Sequence, residues 1–180
     1  RRKPKGFHAL RHLARYFDCV EINSSFYGAP SAKNAEHWVE LVADRPNFRF
    51  TAKLQQAFTH DPLPKSEREL HGLTRAFHDG LQPLADAQRL AALLVQFPHS
   101  FRRTPETEQR LEWIAQAFGG LPLVLELRQR SWFEPEPLAR IRALGYTLCG
   151  IDLPLEADRP SEDELRADAR LIVVTTSHGA

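Results

Sequence analysis

The feature of this chain that most constrains its fold is a regular alternation of short apolar runs with amphipathic segments. The apolar runs have the length and composition of strands, and the segments between them repeat apolar residues at helical spacing. Strands that alternate with helices through short turns form a parallel sheet, because each helix returns the chain to the end of the sheet where the previous strand began. The predicted strands are residues 19–23, 48–53, 90–97, 121–127, 146–151 and 171–175.

The predicted helices follow from the same periodicity. They cover residues 7–17, 66–78, 81–87 and 104–118, with one that starts at Ser31 and one that opens at Pro135 or Pro137 and runs through Leu144. Ser31 and Ser66 are predicted N-caps, since a serine hydroxyl accepts from backbone N–H groups of the first turn. Gly80 is expected to separate two helices, and residues 55–65 are expected to form a polar loop.

Composition excludes some classes of function. The 180 residues suit a single domain. Lys plus Arg is 24 and Asp plus Glu is 23, so no overall basic field favours nucleic acid. No run approaches the ~18 apolar residues of a membrane span, and no signal-peptide pattern opens the chain, so we expect no membrane partner and a cytoplasmic location. Cys19 and Cys149 lie in predicted strands, which indicates reduced, buried thiols.

Polar side chains recur where the predicted strands end. They are Glu21, Asn23, Lys53, Gln96, Glu126, Arg128, Asp152 and, after the last strand, His178. In a closed parallel barrel these positions converge on one cavity, which is the usual place of an active site. The alternative is that they merely solvate the ends of the strands. For Glu21 in particular, the alternative is a salt bridge to a Lys or Arg on a neighbouring strand.

The residue types suggest acid–base chemistry on an anionic substrate. Glu21 and Glu126 could serve as general acid and base if their environments differ, and Asp152 and His60 complete the predicted catalytic set. The predicted substrate-binding residues are Asn23, Tyr27, Lys53, Gln96, Arg128, Trp132 and His178. Lys53 and Arg128 would hold an anion, whereas Tyr27 and Trp132 would wall the pocket or, alternatively, pack back on the core.

No cofactor follows from the sequence. No Gly-x-Gly-x-x-Gly motif follows a strand, so a dinucleotide-binding fold has no support. His60 and His178 are possible metal ligands, but no His-x-His or His-Glu-x-x-His motif accompanies them, and no metal site is predicted.

A series of short motifs resembles a known family. Residues 20–27 read Val-Glu-Ile-Asn-Ser-Ser-Phe-Tyr and residues 48–53 read Phe-Arg-Phe-Thr-Ala-Lys. Further along are Thr59-His60, Gln96-Phe97-Pro98, Glu126-Leu127-Arg128, Ser131-Trp132-Phe133, Asp152 and His178-Gly179. In this order they resemble the domain of unknown function 72 family, the YecE-like proteins. The resemblance implies a triosephosphate isomerase (TIM)-type barrel, here a partial barrel that lacks the first and last strands. It implies no particular reaction.

Three functions are consistent with these observations. We favour an enzyme, a hydrolase, lyase or isomerase, that acts on a small polar or anionic substrate. The second is a nucleic-acid-binding or metal-dependent phosphodiesterase-like barrel, in which basic groups and aromatic rings would grip the ligand. The third is a non-catalytic fragment with open sheet edges. No oligomeric state is predicted.

Overall fold

The structure is a computed structural model that describes residues 7–64, 66–151 and 172–174. The strands are β1 (Cys19–Ile22), β2 (Arg49–Lys53), β3 (Leu90–Gln96), β4 (Leu123–Glu126), β5 (Thr147–Ile151) and β6 (Ile172–Val174). The helices are α1 (Ala9–Leu13), α2 (Ala32–Leu41), α3 (Gln56–Thr59), α4 (Glu67–Asp86), α5 (Pro105–Phe118) and α6 (Pro135–Ala143). Short 3₁₀ helices follow β1 and β4, at Asn23–Phe26 and Arg130–Trp132.

The strands form one sheet in chain order, from β1 to β6. β1 pairs with β2, β4 with β5, and β5 with β6, all in parallel. The predicted α/β fold with a parallel sheet is therefore confirmed. Over the described residues the sheet is open, with β1 at one edge and β6 at the other, so the TIM-type barrel is not confirmed.

The chain divides into two compact units, and the division falls within β3. The first unit holds the described residues up to 56 together with residues 62–93, and the second holds residues 57–61 and the described residues from 94 onward. Residues 57–61 thus belong to the second unit, although the residues before and after them in the chain belong to the first. The prediction of a single domain stays a prediction.

The core of the first unit forms on one face of β2. Phe48, Phe50 and Ala52, which the alternation predicts to share a face, are 2%, 1% and 0% exposed. Trp38 of α2 stacks on Phe50 with ring centroids 6.3 Å apart. The predicted cap at Ser31 is present, since the Ser31 hydroxyl accepts from the backbone N–H of Asn34 at 3.4 Å.

The core of the second unit is centred on β4, in which all four residues are buried. Leu111, Ile114 and Phe118 of α5 are buried in the same unit. Helix α5 starts as the sequence indicates: Thr104 and Thr107 cap one another's backbone N–H groups in a reciprocal capping box, and Pro105 occupies the first turn.

Two helix predictions at the start of the chain and after β2 were wrong. The helix predicted over residues 7–17 is only the five residues of α1, none of them buried, and Phe17 is 59% exposed. A helix this short is marginal unless it buries an apolar face, and α1 buries no residue. The polar loop predicted over residues 55–65 contains α3, whose Phe58 is fully buried.

The predicted break at Gly80 was also wrong, because α4 runs unbroken through that residue. A Cβ atom on Gly80 would lie 2.1 Å from the carbonyl oxygen of Pro30, so a glycine there admits the Pro30 backbone. Pro83 lies in the last turn of α4, and the helix ends three residues after it, at Asp86.

The two thiols differ in exposure. Cys149 is buried, as predicted, whereas Cys19 is exposed, which corrects the prediction for that residue. The reason is the position of β1 at the edge of the sheet, where one side of the strand has no neighbour among the described residues. Neither cysteine forms a disulfide.

In the part of the chain that the structure describes, no helix combines the length and the apolar character that a membrane crossing requires.

Candidate functional site

Among the residues that the structure describes, the most deeply buried charged residue at a strand end is Glu126, the last residue of β4. Glu126 is 4% exposed, although a carboxylate is costly to bury unless it is paired and hydrogen-bonded. The Gln96 Nε2 amide donates to Glu126 Oε1 at 2.6 Å, and Arg128 donates to the same oxygen from Nε at 3.1 Å and Nη2 at 2.9 Å. The structure therefore brings together three of the predicted site residues.

The hydrogen bonds to Glu126 are unevenly distributed over its carboxylate. All of the donors from Gln96 and Arg128 reach Oε1. Within the described residues, no side chain or backbone group donates to Oε2. Among the described residues, the donors thus hold one oxygen of the carboxylate and not the other.

Glu21 and Lys53 form a second pair, in the first unit. Glu21 Oε1 lies 3.6 Å from Lys53 Nζ, and their side chains are 40% and 22% exposed. Glu21 is directly opposite Thr51 in the β1–β2 ladder, so Lys53 is two residues further along β2 and shares the face. The salt bridge to a neighbouring strand, which the sequence left open for Glu21, is present.

Ser25 is a buried polar residue that sequence reasoning missed. Its Oγ accepts from the backbone N–H of Lys53 at 2.9 Å and lies 2.6 Å from Ile22 O and 2.8 Å from Lys53 O. Ser25 is 1% exposed. The hydroxyl ties the end of β1 to the end of β2 and so fixes the backbone that carries Lys53. The available signal was a serine directly after a strand, where a hydroxyl can replace a ladder partner.

His60 lies in the second unit, directly after α3. It is exposed, and its Nδ1 is 2.9 Å from the hydroxyl of Thr59, which is 2% exposed. Arg110 of α5, also missed in the sequence, donates to backbone carbonyls on both sides of this dipeptide. Burial lowers the pKa of the Arg110 guanidinium from its ordinary value, and the charge of Asp61 opposes that shift.

Of the predicted aromatic and amide residues, Trp132 is in the core. It is 1% exposed, its indole N–H donates to Phe101 O at 2.9 Å, and its ring stacks on Phe101 at 5.5 Å. Of the two alternatives for Trp132, a pocket wall or a ring packed back on the core, this placement fits the second, because the side chain is buried and the carbonyl accepts from its N–H. Asn23 and Tyr27 are exposed, and Tyr27 contacts Phe26 edge to face at 5.2 Å.

The structure does not describe two of the predicted site residues, and it does not test one predicted pairing. Asp152 and His178 lie outside the described residues. Glu21 belongs to the first unit and Glu126 to the second, so their action as an acid–base pair stays a prediction.

The described residues offer no ready metal site. Within residues 7–64, 66–151 and 172–174, no group of three or more His, Cys, Asp or Glu side chains is arranged to hold a metal ion.

The fold and the strand-end groups define an α/β protein with a parallel sheet and a buried, hydrogen-bonded carboxylate at the carboxyl end of a central strand. Within this class the chain belongs to the family described as protein of unknown function DUF72, whose model matches residues 2–179. The resemblance seen in the sequence motifs is thus confirmed.

Relatives and solved structures agree with this assignment. The chain is 30% identical over 177 residues to UPF0759 protein YunF of Bacillus subtilis, and 27% identical over 169 residues to UPF0759 protein YecE of Escherichia coli K12. The alignments cover 94% and 89% of this chain. It spans only 61% and 58% of those two relatives.

Two crystal structures of DUF72 family proteins are similar to this one. The protein from Enterococcus faecalis V583 superposes with a TM-score of 0.74 at 28% sequence identity, over 85% of this chain and 62% of the other. The protein from Thermotoga maritima MSB8 gives a TM-score of 0.65 at 26% identity, over 87% of this chain and 60% of the other.

Proposed function

We propose that this chain belongs to an enzyme, a hydrolase, lyase or isomerase, that acts on a small polar or anionic substrate by carboxylate acid–base chemistry. The observation that carries the proposal is the one-sided hydrogen bonding of Glu126, whose Oε1 receives the Gln96 and Arg128 donors. Three donors on one oxygen hold the carboxylate in a single orientation, and a catalytic carboxylate needs to be oriented in this way.

The arrangement meets the requirements of a general acid or base. Proton transfer needs a carboxyl group held within hydrogen-bond reach of the substrate and prevented from turning away. The amide of Gln96 and the guanidinium of Arg128 hold Oε1, so the direction of Oε2 is set by protein contacts. The shell around Glu126 is thus organised before any substrate arrives.

Arg128 also supports an anionic substrate. Its side chain is 36% exposed, although two of its nitrogens contact Glu126. A guanidinium has further N–H groups in a fixed plane, which suit a carboxylate or phosphate group. Arg128 would hold the substrate while Glu126 exchanges a proton with it.

Glu21 keeps its proposed role as the second carboxylate. Its pair with Lys53 is long, at 3.6 Å, and the Glu21 side chain is 40% exposed. A pair of that kind contributes little stability, so either partner can turn to a substrate at small cost. Lys53 would then bind a negative group of the substrate.

The proposal also places these residues in a partial TIM-type barrel that lacks the first and last strands. The parallel pairing, the strand order and the helices between strands support it. In such a barrel the carboxyl ends of the strands surround the active site. The open edges of β1 and β6 are where further strands would add.

The experiment is a turnover screen in which Glu126→Gln is compared with the wild type. The panel consists of small phosphate esters, hydroxy acids and sugar acids, followed by proton NMR. For any compound that the wild type converts, Glu126→Gln should lower the rate by about 10²–10⁴-fold, the usual contribution of a general acid or base. The substitution keeps the volume of residue 126 and one acceptor oxygen that can face Gln96 and Arg128, and it removes the ionisable group.

The matched control is Glu67→Gln, which alters an exposed carboxylate in the first turn of α4 and should leave the rate unchanged. Circular dichroism and urea denaturation establish that both variants are folded. A folded Glu126→Gln variant with the wild-type rate would rule out the acid–base role of this residue.

A further inference from the structure

The segment of residues 57–61, which carries His60, is anchored on α5 by a buried aromatic side chain. Phe58 is fully buried. Its ring stacks on Trp113 with centroids 5.9 Å apart and meets Phe118 edge to face at 5.3 Å. These contacts explain why this short segment belongs to the second unit, although the chain on both sides of it belongs to the first.

Arg110 of α5 fastens the backbone of the same segment. Its Nε donates to Phe58 O at 2.9 Å, and its Nη2 donates to Asp61 O at 2.6 Å. The two carbonyls bracket Thr59 and His60, so one rigid guanidinium fixes the backbone before and after the dipeptide. The hydrogen bonds join residues 52 and 49 positions apart in the chain.

The same guanidinium contacts the end of β3. Its central carbon lies 6.0 Å from the centroid of the Phe97 ring, within the range of a cation–π interaction. Phe97 is the residue after Gln96, whose amide donates to Glu126. Arg110 therefore connects the His60 segment to the strand end at which Gln96 orients the buried carboxylate.

The His60 ring is itself tied to the anchored backbone. Thr59 is buried, and its hydroxyl lies 2.9 Å from His60 Nδ1. The hydroxyl can donate or accept, so this contact is compatible with either tautomer and fixes the direction of the ring. The orientation of the His60 ring thus depends on a backbone that Phe58 and Arg110 hold in place.

We propose that Arg110 is a positioning residue that holds the His60 segment at the strand end of the second unit and thereby fixes the orientation of the His60 ring. The use of His60 in catalysis rests on the proposed function, but the positioning itself does not. A lysine would not replace this arginine, since an ammonium on a flexible stem does not form two hydrogen bonds in one rigid plane.

The test compares Arg110→Met with the wild type, since methionine keeps an unbranched side chain and removes both donors. One readout is hydrogen exchange at the backbone amides of residues 58–61. Loss of the two charge-assisted hydrogen bonds should speed exchange there by at least about tenfold, equivalent to about 1.4 kcal/mol of local opening free energy. Amides of β4 serve as the internal reference and should exchange at the wild-type rate.

The second readout is the ¹⁵N NMR spectrum of the His60 ring. The wild type should show one sharp set of ring nitrogen signals, and Arg110→Met should show shifted and broadened signals, because the ring then samples several orientations. A role of Arg110 limited to helix stability would not move these signals. The matched control is Arg75→Met on α4, whose exposed arginine pairs with Asp79 at 3.7 Å and should change neither readout.

If Arg110→Met does not fold, the same measurements are made on Arg110→Lys, because lysine keeps the charge and most of the packing. It should show the same changes, reduced in size. Unchanged exchange at residues 58–61 and an unchanged His60 spectrum in a folded variant would overturn the proposal. If these readouts change while Glu126→Gln retains full turnover, the positioning role stands and the acid–base function fails.

Discussion

At the scale of single residues, two buried hydroxyl groups each bind a specific backbone partner. The Ser25 hydroxyl joins the ends of two strands, and the Tyr146 hydroxyl donates to Leu111 O at 2.8 Å. Tyr146 is 3% exposed. Of these two hydroxyls, that of Tyr146 is ionisable, so its burial makes stability depend on pH.

Tyr146→Phe tests this dependence. Burial raises the pKa of Tyr146 well above its ordinary value of about 10, so above pH 10 the unfolded chain loses this proton while the folded chain keeps it. The wild type should therefore lose stability, relative to Tyr146→Phe, as pH rises past about 10. Near neutral pH the wild type should be more stable by about 1 kcal/mol, from the hydrogen bond.

Urea denaturation of the wild type and of Tyr146→Phe, at neutral and at alkaline pH, measures the difference in their free energies of unfolding. Tyr16→Phe is the control, since Tyr16 is 70% exposed and its substitution should leave the free energy of unfolding unchanged. A difference between wild type and Tyr146→Phe that is constant with pH would show that the hydroxyl is not buried.

At the scale of secondary structure, α4 shows how packing can reverse a local preference. Glycine ordinarily weakens a helix, by roughly 1 kcal/mol relative to alanine. In α4 the Gly80 position faces the Pro30 backbone so closely that a side chain would collide with it, at 2.1 Å from the carbonyl oxygen. The helix therefore continues through a residue that the sequence marks as a break.

Gly80→Ala should destabilise the protein by about 1–3 kcal/mol, because the cost of overpacking against backbone exceeds the gain in helix propensity. The control lies in the same helix: at Gly72 an added Cβ would meet nothing within 4 Å. Gly72→Ala should therefore stabilise by about 0.5–1 kcal/mol.

The midpoints and slopes of urea denaturation curves give the change in the free energy of unfolding for each of the two substitutions. Stabilisation by both substitutions would contradict the close approach of Pro30.

At the scale of the whole molecule, the open edge of the sheet has a chemical consequence. Cys19 on the edge strand β1 is exposed, whereas Cys149 on β5 is 2% exposed. Thiol reagents reach exposed cysteines far faster than buried ones. We expect iodoacetamide to modify one thiol per native 180-residue chain and both thiols after denaturation.

Cys19→Ser should abolish labelling of the native chain, as measured by mass spectrometry. Equal labelling of Cys19 and Cys149 in the native chain would contradict the burial of β5. If the barrel proposed above closes in a form that includes further strands, Cys19 should be protected there and reactive only in the open sheet.

Much of the fold could be predicted because it depends on local patterns. The apolar runs gave all six strands to within two residues of their observed ends, since period and turn residues are short-range features. The polar residues Gln96, Glu126 and Arg128 could be placed at strand ends for the same reason. The sequence could not predict that Gln96 and Arg128 both donate to Oε1 of Glu126. That contact depends on side-chain conformations and on pairing between distant strands.

The sequence by itself determined the order of the elements, the family and the strand-end positions of the candidate residues. The tertiary structure decided which polar atoms pair: Ser25 with Lys53, and Arg110 with carbonyls about fifty positions earlier in the chain. It also decided that Trp132 is a core residue and that Gly80 lies within a helix. The physical reason is range: periodicity acts over a few residues, whereas burial and hydrogen bonding depend on residues that only folding brings together.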